Sequence, residues 1–277
     1  LEPNAGGENR EENLRLLAEA GNELVFGVGF AFSEAVGNAA ADFTDTQFAI
    51  IDDAANADVP NVTSLVFAEE QGSALVGAAA ALKSTNGRIG FIGGVAGLGL
   101  IEKFQAGFEF GAQFINADIE IDVTYLTEFP DFAGFSDPAK GKEAALAQYE
   151  GGADIIYHAA GGSGAGVFEA AKETSEATGT KVWAIGVDSD QYLTAGEEVQ
   201  EYILTSMLKR VDTAVYSTIT KYINGERLGG VTVLDLASDG VGYSTSGGFV
   251  DDITDKLDEL RLAIVSGELE VPTEPAG

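Results

Sequence analysis

Short apolar runs alternate along this chain with amphipathic stretches, and that alternation restricts the fold more than any single motif does. The runs are LVFGVG (24–29), QFAIID (47–52), VTSLVF (62–67), ADIIYHA (153–159) and KVWAIGV (181–187), with further strands over 88–93, 119–127 and 230–236. Helical spacing of apolar residues fills the gaps at 9–20, 32–41, 69–83, 100–114, 138–150, 166–178, 204–224 and 252–266. A strand that is apolar at every position has both faces covered, which is the mark of a parallel sheet with helices on each side. Eight such strands can close one barrel or build two open, doubly wound sheets, and the residues at the strand ends favour two open sheets. No period of 20–50 residues recurs, which argues against a solenoid.

Length and composition narrow the chemistry. The 277 residues exceed one ordinary domain, and 45% hydrophobic residues supply ample core for two lobes. The chain holds no cysteine and one histidine, His158. A nucleophile–histidine triad would therefore have to use His158, and a Cys/His zinc site cannot be assembled, so no metal and no cofactor is expected. Set within an apolar strand, His158 reads as a core histidine. Forty-five acidic against 15 basic residues give a formal charge of −30, which argues against nucleic acid and against anionic lipid as partners. No stretch of about 18 apolar residues occurs, so no helix is read as crossing a membrane.

In open parallel sheets ligands bind beyond the carboxyl ends of the strands. Asp52 and Asp53 follow one strand, Asp188, Ser189 and Asp190 another, and the turn GGSGAG at 161–166 follows a third. The loop after the strand ending at Thr127 carries Phe129, Phe132 and Phe135. Carboxylates for paired hydroxyls, glycine N–H groups at a helix start and an aromatic face together suit a neutral, hydroxylated, flat molecule. Each feature also has a plainer reading. A strand-end aspartate can cap the next helix, Phe135 can plug a lobe, and the glycine turn is neither GxGxxG nor a Walker loop, because Val167 occupies the last glycine's place and no Lys-Ser/Thr pair follows.

The segments GVGF (27–30), FAIIDD (48–53), NVTSLVFAEEQGSALVGAAAALK (from Asn61), GRIGFIGG (87–94), FSDPAKGKEAAL (135–146), GADIIYHAAGGSGAGVFEAAKE (152–173), AIGVDSDQ (184–191) and LTSMLKRVDTAVY (204–216) carry a family resemblance. Together they are similar to the basic membrane protein family of substrate-binding lipoproteins, purine-nucleoside-binding type, within the type I periplasmic-binding-protein fold. The resemblance implies two Rossmann-like lobes joined by three crossover strands, 1–67 with 192–229 and 68–191 with 230–277, enclosing a nucleoside. It implies Asp52 reading the base, Phe135 stacking on it, Gly161 and Gly162 as backbone contacts, Asp188 on the ribose hydroxyls and Lys209 near the sugar. Spacing alone makes Lys209 a helix-surface charge. The family's opening strand and helix, with a DxGxxDxSFNQ-like motif, have no counterpart here, so a second stacking aromatic and a central strand are expected to be missing.

The function implied is a monomeric, extracytoplasmic receptor, lipid-anchored through a segment upstream of this chain, that delivers a nucleoside to an ABC permease. A sugar-binding receptor, a ligand-sensing surface protein and a hydrolase using Asp52 and Asp188 as its carboxylate pair stay open as alternatives. The charge of −30 predicts adaptation to a salty medium, because self-repulsion is relieved as the Debye length shrinks. The melting temperature should rise between low and molar salt, and a flat or falling trend would remove that reading.

Overall fold

Strands apolar on both faces can be buried only between helices, and the structure builds two such sheets. The computed structural model describes residues 1–4, 7–226 and 228–276. Two compact units are formed, Leu1–Phe67 with Arg210–Leu234 and Ala68–Lys209 with Asp235–Gly277, so the chain passes between them three times. The chain begins in the first unit with α1 (Arg10–Glu19), β1 (Leu24–Gly27), α2 (Ser33–Asp42), β2 (Gln47–Ile51) and β3 (Val62–Phe67). It continues in the second with α3 (Glu69–Lys83), β4 (Arg88–Ala96), α4 (Gly99–Ile115), β5 (Glu120–Glu128), α5 (Pro138–Glu150), β6 (Ile155–Ala159), α6 (Gly164–Thr178), β7 (Trp183–Gly186), the short α7 (Gln191–Thr194) and β8 (Ile203–Lys209). It returns to the first for α8 (Val211–Ile223) and β9 (Gly230–Leu234), and ends in the second with β10 (Val241–Tyr243) and α9 (Thr254–Val265).

The first unit's sheet runs β1-β2-β3-β9, parallel throughout. Its core sets Phe48, Ile50 and Val62 against Leu14, Val36 and Ala39 of the helices. The second unit's sheet runs β10-β8-β7-β6-β4-β5, parallel except for the antiparallel edge strand β10. Ile92, Ile156, Ala184 and Ile203 pack there against Val167 and Phe168 of α6.

Two expectations are corrected. The segment 204–224 is not one long helix: residues 203–209 form a strand buried at six of seven positions, and the helix starts only at Val211. ILTSMLK is short, nearly uncharged and without a clear period, so pattern alone does not separate strand from helix. Pairing with β7 and β10 on its two sides decides the matter. The unit boundaries move with it. The return crossing falls at Arg210 rather than 192, and the last at Asp235 rather than 230, because β8 belongs to the second sheet and β9 pairs with β3 in the first.

Glycines on α3 and α4 bring these helices into backbone contact. A Cβ at Gly77 would collide with the Phe108 carbonyl, one at Gly107 with the Glu70 carbonyl, and one at Gly111 with the Ala74 carbonyl. One helical turn before Gly107, Lys103 thereby reaches Glu69 and Glu70 at the start of α3. Gly107→Ala should cost about 1–3 kcal/mol of unfolding free energy, read from urea denaturation, because backbone cannot yield as a flexible side chain can. A loss near zero would show that the helices separate freely.

Candidate functional site

Because β4, β6, β7 and β8 are parallel neighbours, the segments that follow them all emerge at one edge of the second unit's sheet. After β6 the chain turns at Gly161, whose φ of +53° lies in the left-handed region, and Gly161–Ser163 make one 3-10 turn before α6 begins at Gly164. Helix α6 thus starts inside the glycine turn, two residues earlier than its periodicity suggests. The fully buried Ser163 fastens this turn to the aromatic loop. Its Oγ accepts from the Asp137 N–H at 2.8 Å and donates to the Gly134 carbonyl at 2.7 Å. Phe135 ends the 3-10 turn Phe132–Phe135, half-buried, with its ring where a Cβ on Gly94 of β4 would be. Its carbonyl faces Gly161 and Gly162, at 3.1 and 3.3 Å from where their Cβ atoms would stand. Phe135, Gly161 and Gly162 are therefore brought together, and Ser163, which holds them, is a residue the sequence did not single out. Gly161 and Gly162 also line a cavity of about 390 Å³ with Phe168, Gln191 and Thr194.

After β7, Asp188 adopts φ +64°, a conformation open to aspartate but uncommon. Its neighbours fix it. The Val187 N–H donates to Gln191 Oε1 at 2.7 Å, the Gln191 N–H donates to Ser206 Oγ at 3.0 Å, and the Lys209 N–H donates to the Asp188 carbonyl at 2.8 Å. Asp190 is taken up by Ser246, whose Oγ donates to it at 2.5 Å. The Asp188 side chain stays 53% exposed, and its Oδ1 lies 3.9 Å from Lys209 Nζ.

Lys209 is not a helix-surface charge. It is the last residue of β8, 8% exposed, with its ammonium 3.8 Å from Glu69 Oε1 and 5.8 Å from the centroid of the Phe104 ring. Reading ILTSMLK as a strand would have placed Lys209 at a carboxyl end and marked it. Glu69, Glu70 and Lys103 were also missed, hidden as ordinary helix-terminal charges. In the first unit Asp52 directly follows β2 with φ +67°, half-buried with Oδ1 inside, and its N–H donates to the Leu65 carbonyl at 2.9 Å. Asp53 is structural, accepting from Ser33 Oγ at 2.8 Å and from the Ala55 N–H at 3.0 Å.

His158 lies beneath the glycine turn, fully buried, with its ring 5.1 Å from that of Phe168 and directly under Gly164, where a Cβ would strike it. Burial lowers its pKa from 6.5 to about 4, so the imidazole is neutral at pH 7. Among the described residues no cluster of three or more His, Cys, Asp or Glu could hold a metal ion, and no helix is long and apolar enough to cross a membrane.

Two parallel α/β units, linked by three chain crossings and carrying polar groups at their sheets' carboxyl edges, define a type I periplasmic-binding-protein-like architecture. The chain belongs to the family described as ABC transporter substrate-binding protein PnrA-like, whose profile matches residues 2–274. It is 36% identical over 271 residues to a CD4+ T-cell-stimulating antigen of Listeria monocytogenes serovar 1/2a, covering 95% of this chain and 74% of that one. It is 34% identical over 270 residues to the ABC transporter nucleoside-binding protein BmpA of Lactococcus lactis subsp. cremoris, again covering 95% and 74%. The solute-binding protein of an ABC transporter system from Aeropyrum pernix K1 superposes with a TM-score of 0.79 at 26% identity, covering 97% of this chain and 82% of that one. Members of this family are extracytoplasmic solute-binding proteins rather than enzymes, and work with a small-molecule ligand and a membrane permease.

Two measurements check the site. Ser163→Ala should cost about 1–3 kcal/mol, since it strips a partner from each of two backbone groups, and should loosen Phe135. An unchanged denaturation midpoint would show that Ser163 fastens nothing. For His158 the folded pKa lies below the unfolded value, so its contribution is complete above pH 6.5 and lost as pH falls through about 4. Across that window His158 should account for up to about 3 kcal/mol of lost stability, and His158→Phe should flatten that part of the profile. As the chain's only histidine, it can be followed by its own proton resonance.

Proposed function

We propose that this chain captures a purine nucleoside for uptake, with Asp188 on the ribose hydroxyls. The observation that carries the reading is the pairing of a half-exposed carboxylate, in a fixed left-handed backbone, with a buried ammonium 3.9 Å away at the same strand edge. A carboxylate so held accepts from two adjacent hydroxyls, and such charge-assisted bonds are stronger than neutral ones. Lys209 donates to a sugar oxygen, and Gly161 and Gly162 offer backbone N–H groups at a helix start. Phe135 supplies a face for the base. The name of the Lactococcus relative, a nucleoside-binding protein, supports the same ligand class.

Titration calorimetry with adenosine and inosine should give a Kd of about 1 µM or tighter, roughly −8 kcal/mol. Asp188→Ala should weaken binding by roughly 2–3 kcal/mol, about 30- to 160-fold. Equal affinity in the variant would refute the assignment of Asp188. Ribose binding as tightly as adenosine would make the ligand a sugar and leave Phe135 without a role.

A further inference from the structure

Glu69 opens α3 with its side chain 1% exposed, a costly place for a carboxylate that no covering of the core requires. The dipole at the start of α3 favours it, and Lys103 Nζ donates to its Oε2 at 2.7 Å. Its other oxygen, Oε1, faces Lys209 Nζ at 3.8 Å, while Glu70 adds an oxygen 3.3 Å from Lys103. Lys209 thus stands between a buried carboxylate behind it and the exposed carboxylate of Asp188 in front, 3.9 Å away. Glu69, Glu70 and Asp188 set three negative charges against the two positive charges of Lys103 and Lys209. Between Glu69 and Lys209, both buried, Coulomb terms are several times stronger than in water.

A buried lysine at the sheet edge that also bears a glycine turn and a helix start would otherwise favour phosphate. We infer that Glu69 is a specificity-determining residue: it balances Lys209 from behind, so that the ammonium serves a neutral hydroxylated ligand and a phosphorylated one is rejected. The inference rests on the reading of Asp188 and Lys209 as sugar contacts. Glu69 touches no ligand itself; it acts through the charge of Lys209, and Lys103 donates to it from the other side. Helices α3 and α4, in backbone contact through Gly107 and Gly111, set the distance between Lys103 and the two glutamates.

The test compares adenosine with adenosine 5′-monophosphate by calorimetry on the whole chain. The unaltered protein should bind the nucleoside and discriminate strongly against the monophosphate. Glu69→Gln keeps the shape and removes one charge, and should narrow the ratio of the two affinities by about tenfold to a hundredfold. Adding Lys209→Met to that variant should abolish the gain, which a merely structural role for Glu69 would not do. A ratio unchanged within about twofold in folded Glu69→Gln overturns the inference. If that variant does not fold, Glu70→Gln removes the same charge from a less buried position and decides by the same criterion, with a smaller narrowing expected. If the unaltered chain binds no nucleoside, the nucleoside reading fails. Ribose and ribose 5-phosphate then decide the role of Glu69 alone, and binding of none of the four overturns both.

Discussion

A parallel sheet sends every strand's carboxyl end, and the start of every following helix, to the same edge. In the second unit that one constraint gathers groups far apart in sequence: the glycine turn after β6, Asp188 after β7, Lys209 at the end of β8, and Phe135 against Gly94 of β4. Left-handed backbone at Gly161 and Asp188 turns the chain at the end of its strand. Hydrogen bonds through Ser163 and Gln191 then hold each turn in place. The first unit repeats the device on a smaller scale, with Asp52 left-handed at the end of β2.

Burying charge at such an edge requires opposite charge at short range, and the packing supplies it. Glycines let α3 and α4 touch backbone to backbone, and this close approach puts Lys103 beside Glu69 and Glu70. Glu69 in turn faces Lys209, and Lys209 faces Asp188. A feature legible only as helix spacing therefore ends as the electrostatic setting of the site. With an overall charge of −30, few cations are at hand, so the two lysines placed at this cluster are a deliberate use of scarce positive charge.

Much of the architecture was readable where composition and period agree. VTSLVF, the alanine-rich helix after it, and the helix opened by Pro138 have the bounds their sequences suggest. At the start of the Pro138 helix the Asp137 side chain accepts from the Lys140 N–H at 3.0 Å, a cap between residues three apart. The failures lie where non-local pairing decides. ILTSMLK could be helix or strand until β7 and β10 flank it, and β10 itself has only three residues, one of them glycine. Lys209 was misjudged for that reason alone: a lysine on a helix face is solvated, whereas the same lysine at the end of a buried strand is not.

By itself the sequence determined the fold class, the strand ends worth examining and the chemistry excluded by a chain with no cysteine and one histidine, because these depend on local period and residue type. The resemblance of its motifs to a known family added the residues to test. Only the tertiary structure decided which sheet takes β8, that Ser163 fastens the aromatic loop to the glycine turn, and that Glu69 stands behind Lys209. Those outcomes depend on contacts between residues tens to more than a hundred positions apart. Whether a charge is buried or solvated is fixed by what packs over it, and no local pattern encodes that.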